Sequence, residues 1–392
     1  MQIRLADDIK LDADACEAIS EQVCYIDPRI VSCRVKPPLI ELELTCTPDD
    51  PEALTSKIVG LARKTERSYR KVRKKVVREW QCDGDGANDP EPHLRKTRQV
   101  IESAPGTVTC QGSFLSVLQG LDRVFRAYAL DLGCTEQSYP TTVPLASLLE
   151  NGYVCNFAHH LLSVSGLRRD LQSLESASAV SGADPAAAQE LADLGDPPRQ
   201  ALSPTVCYHC FETLRRQELP GRETLFTAIG PCHRNEGTTV TSLRRLQTFT
   251  MREIVFFGAA EWVEATRQKI VDWMVERMQA WGVPGRVVTA CDPFFAGAKD
   301  TKRSYQSLML LKYELQLHLP FYDEWLAVAS FNDHQKTLVD CYGITSASGD
   351  RLASGCVGLG YERLAYGLFA RFGVEVTDWP EPIRSIATTE NP

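Results

Sequence analysis

A glycine-rich stretch close to the C-terminus constrains the fold more than any other part of the sequence. Residues 354–369 read Ser-Gly-Cys-Val-Gly-Leu-Gly-Tyr-Glu-Arg-Leu-Ala-Tyr-Gly-Leu-Phe, which predicts a strand that runs directly into an apolar helix. Glycines let a ligand approach the strand backbone, and Arg363 stands in the first helical turn, where a guanidinium can bind phosphate. Gly358 and Gly360 match the start of a dinucleotide-binding fingerprint, but its third position holds Arg363 and the chain ends at residue 392. The rest of a Rossmann half does not fit into that length.

A second stretch supplies complementary chemistry. Residues 232–237 read Cys-His-Arg-Asn-Glu-Gly, a polar loop follows, and residues 248–258 read Thr-Phe-Thr-Met-Arg-Glu-Ile-Val-Phe-Phe-Gly. This pattern predicts two strands, with Arg234 and Glu236 leaving the first and Phe249 and Glu253 on the second. An arginine suits phosphate and an aromatic ring suits a purine, so the two stretches together predict an ATP site. The sequence contains no G-x-x-x-x-G-K-[ST] phosphate loop, and either stretch alone also fits an ordinary hairpin or a glycine-rich strand end.

The length and the alternation of elements indicate two domains. The 392 residues are 43% hydrophobic and 24% charged, as is typical of folded proteins. Residues 94–392 alternate helices with apolar runs without a steady βαβ rhythm, which predicts a mixed or antiparallel α+β domain. We expect helices at Phe114–Leu130 and Glu261–Gln279, and strands at Thr248–Phe257, Gly285–Ala290, Trp325–Phe331 and Gly355–Leu359.

The first part of the chain predicts a small α/β domain. Residues 1–86 read as strand, helix, two strands and a long helix over about 52–80, and a turn-rich acidic linker follows at 87–93. Residues 173–203, rich in Ala, Asp, Ser and Pro, predict an insertion in the second domain, with a helix over Pro185–Leu194.

The long helix is strongly basic at its end. Nine basic residues and a single acid, Glu66, lie between Arg63 and Arg78, in a chain whose net charge is −8. Two interpretations stay open, a face that is solvated or neutralised by acidic neighbours and a surface that binds phosphate.

Composition also indicates the compartment. The segment Met1–Asp8 lacks the apolar run of a signal peptide, and no stretch approaches the roughly 18 apolar residues of a membrane span. The 14 cysteines are therefore expected to be thiols or metal ligands in a reducing cytoplasm, with no membrane association.

The two motifs resemble those of the class II aminoacyl-tRNA synthetase catalytic domain, over about residue 94 to the end. His233 through Glu253 is similar to motif 2 of that family, and Gly358 through Arg363 is similar to motif 3. The resemblance implies an antiparallel sheet flanked by helices behind the small N-terminal domain. Motif 1, the helix and strand that form the dimer, is expected at Val143–Leu161, although Ala158 stands where motif 1 usually has proline. The resemblance thus implies a homodimer.

Within this class the chain resembles two zinc-dependent groups, the amino acid:[carrier protein] ligases and the atypical seryl-tRNA synthetases of methanogens. This resemblance implies that Cys207, Glu253 and Cys356 hold Zn²⁺. Cys207 and Cys210 also form a C-x-x-C, the half of a structural zinc knuckle, but no second C-x-x-C completes it. We expect His209 and Cys210 to be wall or core residues, and the remaining cysteines to be ordinary thiols.

The resemblance also implies a role for each site residue. Arg234 is expected to hold the α-phosphate and carboxylate, Glu236 the adenine, Phe249 the purine face and Arg363 the γ-phosphate of ATP, with Mg²⁺ on the phosphates. Asp292, Glu314 and Asn332 are expected either to line the amino-acid pocket or to be structural polar residues.

The expected reaction is activation of a small amino acid to its adenylate, followed by transfer to the phosphopantetheine thiol of a carrier protein. The carrier-protein ligases are the group that residues 291–295, 305–306, 312–314 and 330–335 most resemble. Two alternatives stay open: a seryl-type synthetase that acylates tRNA, and a non-catalytic paralogue that acts as a binding or regulatory subunit. The short stretch after motif 3 leaves no room for a C-terminal anticodon-binding domain.

Overall fold

The computed structural model describes residues 1–71, 74–83, 88–182, 184–237, 240, 242–290, 311–347 and 349–388. Asp292, which the sequence places in the amino-acid pocket, lies outside the described residues, as do the stretches 291–295 and 305–306.

The N-terminal residues form a three-stranded antiparallel sheet covered by two helices. Its elements are β1 (Gln2–Arg4), α1 (Ala13–Val23), β2 (Ile30–Lys36), β3 (Leu39–Leu44) and α2 (Pro51–Lys71), with the strand order β1-β3-β2. The carboxylate of Asp12 caps α1 by accepting a hydrogen bond from the Ala15 amide at 2.9 Å. Ile19, Ile40 and Ile58 are fully buried between the sheet and the helices, so this unit has its own apolar core.

The long basic helix ends earlier than the sequence predicts. Helix α2 stops at Lys71, and Val76–Trp80 forms strand β4 instead of continuing the helix to residue 80. Long basic side chains are compatible with a helix, so the pattern does not mark where the helix ends, whereas Val76 and Val77 favour a strand. The expected linker also contains structure, since helix α3 (Glu91–Lys96) begins within it and buries Leu94.

The following elements lead from α3 to the first half of the site. They are β5 (Val100–Ala104), β6 (Thr107–Cys110), α4 (Gly112–Asp131), β7 (Thr135–Glu136), β8 (Thr142–Pro144), α5 (Leu145–Glu150), α6 (Tyr153–Phe157), a 3₁₀ turn at Ala158–His160, β9 (Ser163–Val164), α7 (Leu171–Ala179), α8 (Pro185–Asp193), β10 (Gln200–Leu202) and α9 (Cys207–Thr213). The helix expected over Pro185–Leu194 is thus α8, capped by Asp184.

The remaining elements complete the main sheet. They are β11 (Glu218–Leu219), β12 (Thr224–His233), β13 (Thr248–Gly258), α10 (Ala260–Ala280), β14 (Gly285–Thr289), β15 (Lys312–Leu319), β16 (Glu324–Gln335), α11 (Thr337–Tyr342), β17 (Thr345–Ser346), β18 (Ala353–Gly360), α12 (Tyr361–Phe372), a 3₁₀ turn at Val376–Asp378 and α13 (Glu381–Thr388). All of the expected strands of this half are present.

Among the described residues, eight strands form the main sheet in the order β4-β14-β15-β16-β18-β13-β12-β7. Every neighbouring pair is antiparallel except β12 and β7, which confirms the predicted antiparallel α+β class. Helices α4, α10, α12 and α13 pack on one face, where Phe114, Phe256 and Leu364 are fully buried. The other face carries α9 and α11 and remains open between them and the strands, which leaves room for a site.

The segment expected to be motif 1 folds differently. Residues 143–161 form the end of β8, two short helices and a 3₁₀ turn, and none of them joins the main sheet. A long helix followed by a strand of the main sheet is found upstream instead, as α4 and β7, with Pro140 shortly after β7. A long helix followed by a strand of the main sheet is thus found at residues 112–136 and not at Val143–Leu161.

Candidate active site and metal centre

The sequence-predicted site residues line one cavity on the open face of the main sheet. Its volume is about 610 Å³, and all but one of those residues contribute to its wall, Asp292 lying outside the described residues. The residues are Cys207, Arg234, Glu236, Phe249, Glu253, Glu314, Asn332, Cys356 and Arg363.

Strand register brings the two motifs together. Glu253 on β13 lies directly opposite Gly358 on β18, and Cys356 lies directly opposite Asn332 on β16. A Cβ at Gly358 would come within 2.5 Å of Cε at the flexible end of Met251 and within 3.5 Å of the Glu253 Cγ, so this strand passes close to the carboxylate side chain. The motif 3 strand therefore forms the floor of the cavity next to the carboxylate of Glu253, which belongs to motif 2.

Three of these side chains form a compact cluster of candidate metal ligands. The Sγ atoms of Cys207 and Cys356 and a carboxylate oxygen of Glu253 all lie within 4.8 Å of one another. The three residues are 4%, 5% and 1% exposed, so the cluster is screened from solvent. Cys210, the other cysteine of the C-x-x-C, lies on α9 with its side chain fully buried in the core. It is not part of the cluster.

The start of α9 holds the Glu253 carboxylate in place. Its two oxygens accept hydrogen bonds from the Val206 amide at 2.9 Å and the Cys207 amide at 3.1 Å, and Thr205 Oγ1 donates a third. Burial and the nearby Cys356 thiolate nevertheless raise the pKa of Glu253 to about 7. The carboxylate is thus fixed in position but destabilised as an anion.

The pKa values of the two thiols shift in opposite directions. A hydrogen bond to Cys356, burial and Glu253 raise the pKa of the Cys207 thiol well above its ordinary value. The same hydrogen bond lowers the pKa of the Cys356 thiol, and the His334 imidazole, whose Nε2 lies 3.5 Å from the Cys356 Sγ, lowers it further. Asn332 also donates to this sulfur at 3.5 Å.

This donor set fits a zinc ion. Three acidic groups confined in a buried space repel one another when ionised, and a divalent cation relieves that repulsion. Two thiolates and one carboxylate favour Zn²⁺ over Mg²⁺, and three protein ligands leave a fourth position open. The arrangement is typical of a catalytic or substrate-binding zinc site.

The motif 2 residues lie beside the cluster and are held by neighbours. The guanidinium of Arg234 stacks over the Phe249 ring, 5.1 Å from its centroid, and its Nε donates to the Pro204 carbonyl at 3.1 Å. Glu236 is 5% exposed and accepts from Arg245 Nε at 2.8 Å. Burial raises the pKa of Glu236, but Arg245, His160 and Arg234 together outweigh burial and hold that pKa below its ordinary value.

Arg363 reaches the same cavity from the start of α12. Its guanidinium donates to the Ala327 carbonyl on β16 at 3.2 Å. Burial and the nearby Arg245 lower the pKa of Arg363 from its ordinary value. Two arginines that face one buried space favour a polyanionic ligand, because an anion there neutralises both.

Sequence reasoning missed three residues of this site. Arg245 pairs with Glu236, His160 places its Nδ1 4.0 Å from the other Glu236 oxygen, and His334 contacts the Cys356 sulfur. Burial lowers the pKa of His160 to about 4, so this imidazole is neutral at pH 7. The sequence shows the arginines of the loop and the polar stretch at 330–335. Their spacing does not reveal that Arg245 pairs with Glu236 or that His334 contacts Cys356.

Comparison with known proteins identifies the family. No protein-family profile matches the chain. The amino acid–[acyl-carrier-protein] ligase 1 of Bradyrhizobium diazoefficiens is 30% identical over 305 residues, which cover 76% of this chain and 90% of that protein. This chain belongs to the same family. It is therefore a ligase, and the predicted resemblance to carrier-protein ligases is confirmed.

Seryl-tRNA ligases are further relatives of this ligase. The type-2 serine–tRNA ligase of Methanopyrus kandleri is 31% identical over 196 residues, which are 47% of this chain but 37% of that protein. The fold is similar to that of M. kandleri SerRS, which was solved with a tRNASec of A. aeolicus. The superposition covers 98% of this chain and 76% of the SerRS chain, with a TM-score of 0.70 and 20% sequence identity. The seryl-tRNA synthetase of Pyrococcus horikoshii, solved with ATP, has a TM-score of 0.60 at 12% identity over 87% of this chain and 83% of that one. The class II fold of this ligase is thus confirmed.

Among the residues that the structure describes, no helix has the length and the apolar character needed to cross a membrane.

Proposed function

We propose that this ligase activates a small amino acid with ATP and transfers it to the phosphopantetheine thiol of a carrier protein. The observation that carries the proposal is the single cavity that joins the buried Cys207–Glu253–Cys356 cluster to the motif arginines Arg234 and Arg363. The family relationship to amino acid–[acyl-carrier-protein] ligases supports the carrier protein as acceptor.

The first step is attack of the amino-acid carboxylate on the α-phosphorus of ATP, with release of pyrophosphate. Arg234 holds the α-phosphate and the carboxylate, and Arg363 holds the terminal phosphate, so that charge is neutralised and the reacting groups are aligned. Phe249 stacks on the purine, with Arg234 against its ring. Glu236, kept ionised by Arg245, accepts a hydrogen bond from the adenine amino group.

Cys207, Glu253 and Cys356 would hold a zinc ion, which would act as a Lewis acid toward the neutral amine of the substrate. Asn332 donates a hydrogen bond to the Cys356 sulfur, and His334 contacts the same sulfur through Nε2; both favour the thiolate form of this side chain. Glu314 and Asn332 form the cavity wall beyond this cluster and face the side chain of the amino acid. Mg²⁺ enters with the ATP phosphates.

The thiol of the carrier then attacks the carbonyl carbon of the aminoacyl adenylate, a thioester forms and AMP leaves. We further propose that the enzyme acts in the cytoplasm as a homodimer.

Pyrophosphate exchange tests the first step. A panel of single amino acids is offered with ATP, Mg²⁺ and zinc, and incorporation of labelled pyrophosphate into ATP is measured. We expect glycine, alanine or serine to support exchange. Absence of exchange with every amino acid contradicts the adenylation reaction.

A second candidate acceptor is tRNA. What favours it is the sequence similarity to the type-2 serine–tRNA ligase of M. kandleri, which is 31% identical over 196 residues. Offering the activated enzyme either unmodified tRNA or a phosphopantetheinylated acyl carrier protein separates the two. Acylation of tRNA with no transfer to the carrier overturns the proposed acceptor and leaves adenylation intact.

A further inference from the structure

Tyr153 has a buried hydroxyl group to which the proposed reaction gives no role. The residue lines the cavity, and its side chain is 6% exposed. Among the residues that the structure describes, its hydroxyl has no hydrogen-bond partner. Burying a polar group without a partner is unfavourable, so an unpaired hydroxyl on a residue of a cavity wall indicates that a ligand supplies the partner.

Aromatic contacts place Tyr153 next to both groups of site residues. Its ring meets the ring of Tyr208, which follows the first candidate zinc ligand on α9, with the centroids 5.9 Å apart. It also meets Phe157 at 5.3 Å, and Phe157 in turn lies 6.5 Å from His160, the imidazole beside Glu236. Tyr153 therefore adjoins the surroundings of the metal cluster as well as those of the carboxylate assigned to the adenine.

Hydrogen bonds fix this segment to motif 2. The His160 carbonyl accepts from the Asn235 amide of motif 2 at 3.0 Å. At the start of α6, the Tyr153 amide donates to the side-chain oxygen of Asn151 at 2.9 Å. The phenol is thus attached at both ends of its segment and is positioned before a substrate binds.

The charges around Tyr153 suit an anionic ligand. Burial raises the pKa of the Tyr153 phenol, Glu236 and Cys232 add to the rise, and the Arg234 guanidinium opposes it. The hydroxyl therefore keeps its proton at neutral pH and is available as a donor near a cation. A hydroxyl donor and a guanidinium together match an anion that offers more than one oxygen, such as a carboxylate.

We propose that the Tyr153 hydroxyl is a further catalytic group, which donates a hydrogen bond to the carboxylate of the amino-acid substrate. This inference rests on the proposed function. With the amine at the metal cluster and the adenine at Glu236, the carboxylate and the α-phosphate meet between these two places. In an α-amino acid the carboxylate is separated from the amine by a single carbon, so it lies close to the metal cluster, where Tyr208 contacts Tyr153.

The hydrogen bond orients the attacking oxygen. The hydroxyl binds one carboxylate oxygen, and the other oxygen forms a bond to the α-phosphorus of ATP. The bond from that phosphorus to pyrophosphate breaks, and pyrophosphate leaves with the electron pair. Tyr153 keeps its proton throughout, because it positions the nucleophile and does not act as an acid.

Tyr153→Phe tests the inference, because it removes the hydroxyl and keeps the ring contacts. Pyrophosphate exchange is measured with the amino acid that the wild type uses, and Tm and zinc content are measured on the same samples without substrates. We expect kcat/KM for the amino acid to fall about ten- to a hundredfold, since a hydrogen bond to a charged group is lost. Tm and zinc content should not fall, because the hydroxyl has no partner to lose among the described residues.

Tyr366→Phe is the matched control. Tyr366 is fully buried in the core on the other face of the main sheet, and its hydroxyl donates to Asp89 at 2.9 Å. This variant loses a formed hydrogen bond away from the cavity. It should therefore have a lower Tm and unchanged exchange, the opposite of the result expected for Tyr153→Phe.

The possible results separate this inference from the proposed function. Wild-type kinetics in Tyr153→Phe overturn the role of the hydroxyl, and so does a loss of exchange that comes with a fall in Tm as large as that of Tyr366→Phe. A rise in the KM for ATP alone overturns the carboxylate as the ligand. In each of these cases the exchange reaction of the wild type remains intact, whereas no exchange by the wild type with any amino acid overturns the proposed function itself.

Discussion

At the scale of single residues, the site depends on acids that are buried together. Glu253 accepts three hydrogen bonds from the start of α9, yet burial beside Cys356 still raises its pKa to about 7. Such a cluster is costly without a cation, since each buried charge lacks hydration and repels the next. A divalent cation would offset this cost, as the proposed zinc site requires.

Replacing Cys356 by alanine tests the metal cluster. We expect the wild type to carry about one zinc per chain, and Cys356→Ala to lose most of it together with pyrophosphate exchange, because two ligands hold zinc weakly. Metal content of the purified proteins is measured by mass spectrometry.

Cys210→Ala is the matched control, because Cys210 is buried three residues from Cys207 but lies outside the cluster. This variant should keep its zinc. Full zinc content in Cys356→Ala, or equal loss in both variants, contradicts the proposed ligand set.

Arg245 is the main contributor to the lowered pKa of Glu236. The carboxylate is almost fully buried, which raises its pKa, and the guanidinium at 2.8 Å, with smaller effects of His160 and Arg234, holds the pKa below the ordinary value. A carboxyl with a lowered pKa adds stability above its unfolded-state pKa, and that stability is lost as the pH falls through the folded-state pKa.

We therefore expect Arg245→Met to lower the free energy of unfolding by about 3 kcal/mol at pH 7, because it leaves a buried charge without its partner. In the variant, burial raises the pKa of Glu236, so the loss should shrink at pH 4, where the carboxyl is protonated. Urea unfolding at both pH values measures this, with Arg244→Met as control. A loss that is equal at the two pH values refutes the assignment.

At the scale of elements, the glycines of β18 differ in purpose. A Cβ on Gly355 would lie 2.4 Å from Phe256 and 2.7 Å from the backbone carbonyl of Asn332, so β13 and β16 pack directly against this position. A Cβ on Gly360 meets nothing nearer than 3.9 Å. The glycine pattern thus combines one position required by packing with another that leaves space in the cavity.

Gly355→Ala should accordingly lower the free energy of unfolding by about 1–3 kcal/mol through overpacking. Gly360→Ala, whose backbone conformation suits alanine, should leave it unchanged or raise it by up to about 1 kcal/mol. Chemical unfolding of the two variants provides the comparison. Equal stability would mean that β18 has room at Gly355.

At the scale of the whole molecule, β4 joins the N-terminal unit to the catalytic sheet. Trp80 at its end is 7% exposed, and its indole N–H donates to the Val283 carbonyl at 2.7 Å. Lys75 exchanges further hydrogen bonds with Thr289, through the Thr289 amide and Oγ1, each at 2.8 Å. These contacts fix β4 against β14 at the edge of the main sheet.

Trp80→Ala should lower the free energy of unfolding by about 3–5 kcal/mol, the usual cost of removing a buried large aromatic side chain. Trp80→Phe, which keeps most of the volume and leaves only the Val283 carbonyl without its donor, should cost about 1–3 kcal/mol. Circular dichroism in urea gives both values. If Trp80→Ala lowers the free energy of unfolding only as much as substitution of an exposed residue does, β4 does not anchor the N-terminal unit to the main sheet.

Much of the site could be predicted from the sequence because its chemistry sits in short local motifs. Arg234, Glu236 and Phe249 lie on one hairpin, and Cys356 and Arg363 lie on one strand and the helix that follows it. The position of motif 1 and the end of α2 could not be predicted in the same way. Helical periodicity continued past Lys71, and a short pair of helices at 145–157 resembled the expected pattern.

The sequence by itself determined the fold class and the two motif stretches, because these depend on residue types at local spacing, while the three candidate metal ligands, which lie far apart in the chain, followed only from the resemblance to known families. Only the tertiary structure decided that β4 is a strand of the main sheet, that Arg245 and His160 flank Glu236, and that the Cys207, Glu253 and Cys356 side chains lie together. The physical reason is that these relations depend on hydrogen bonds and burial between segments far apart in the chain, which local patterns do not encode.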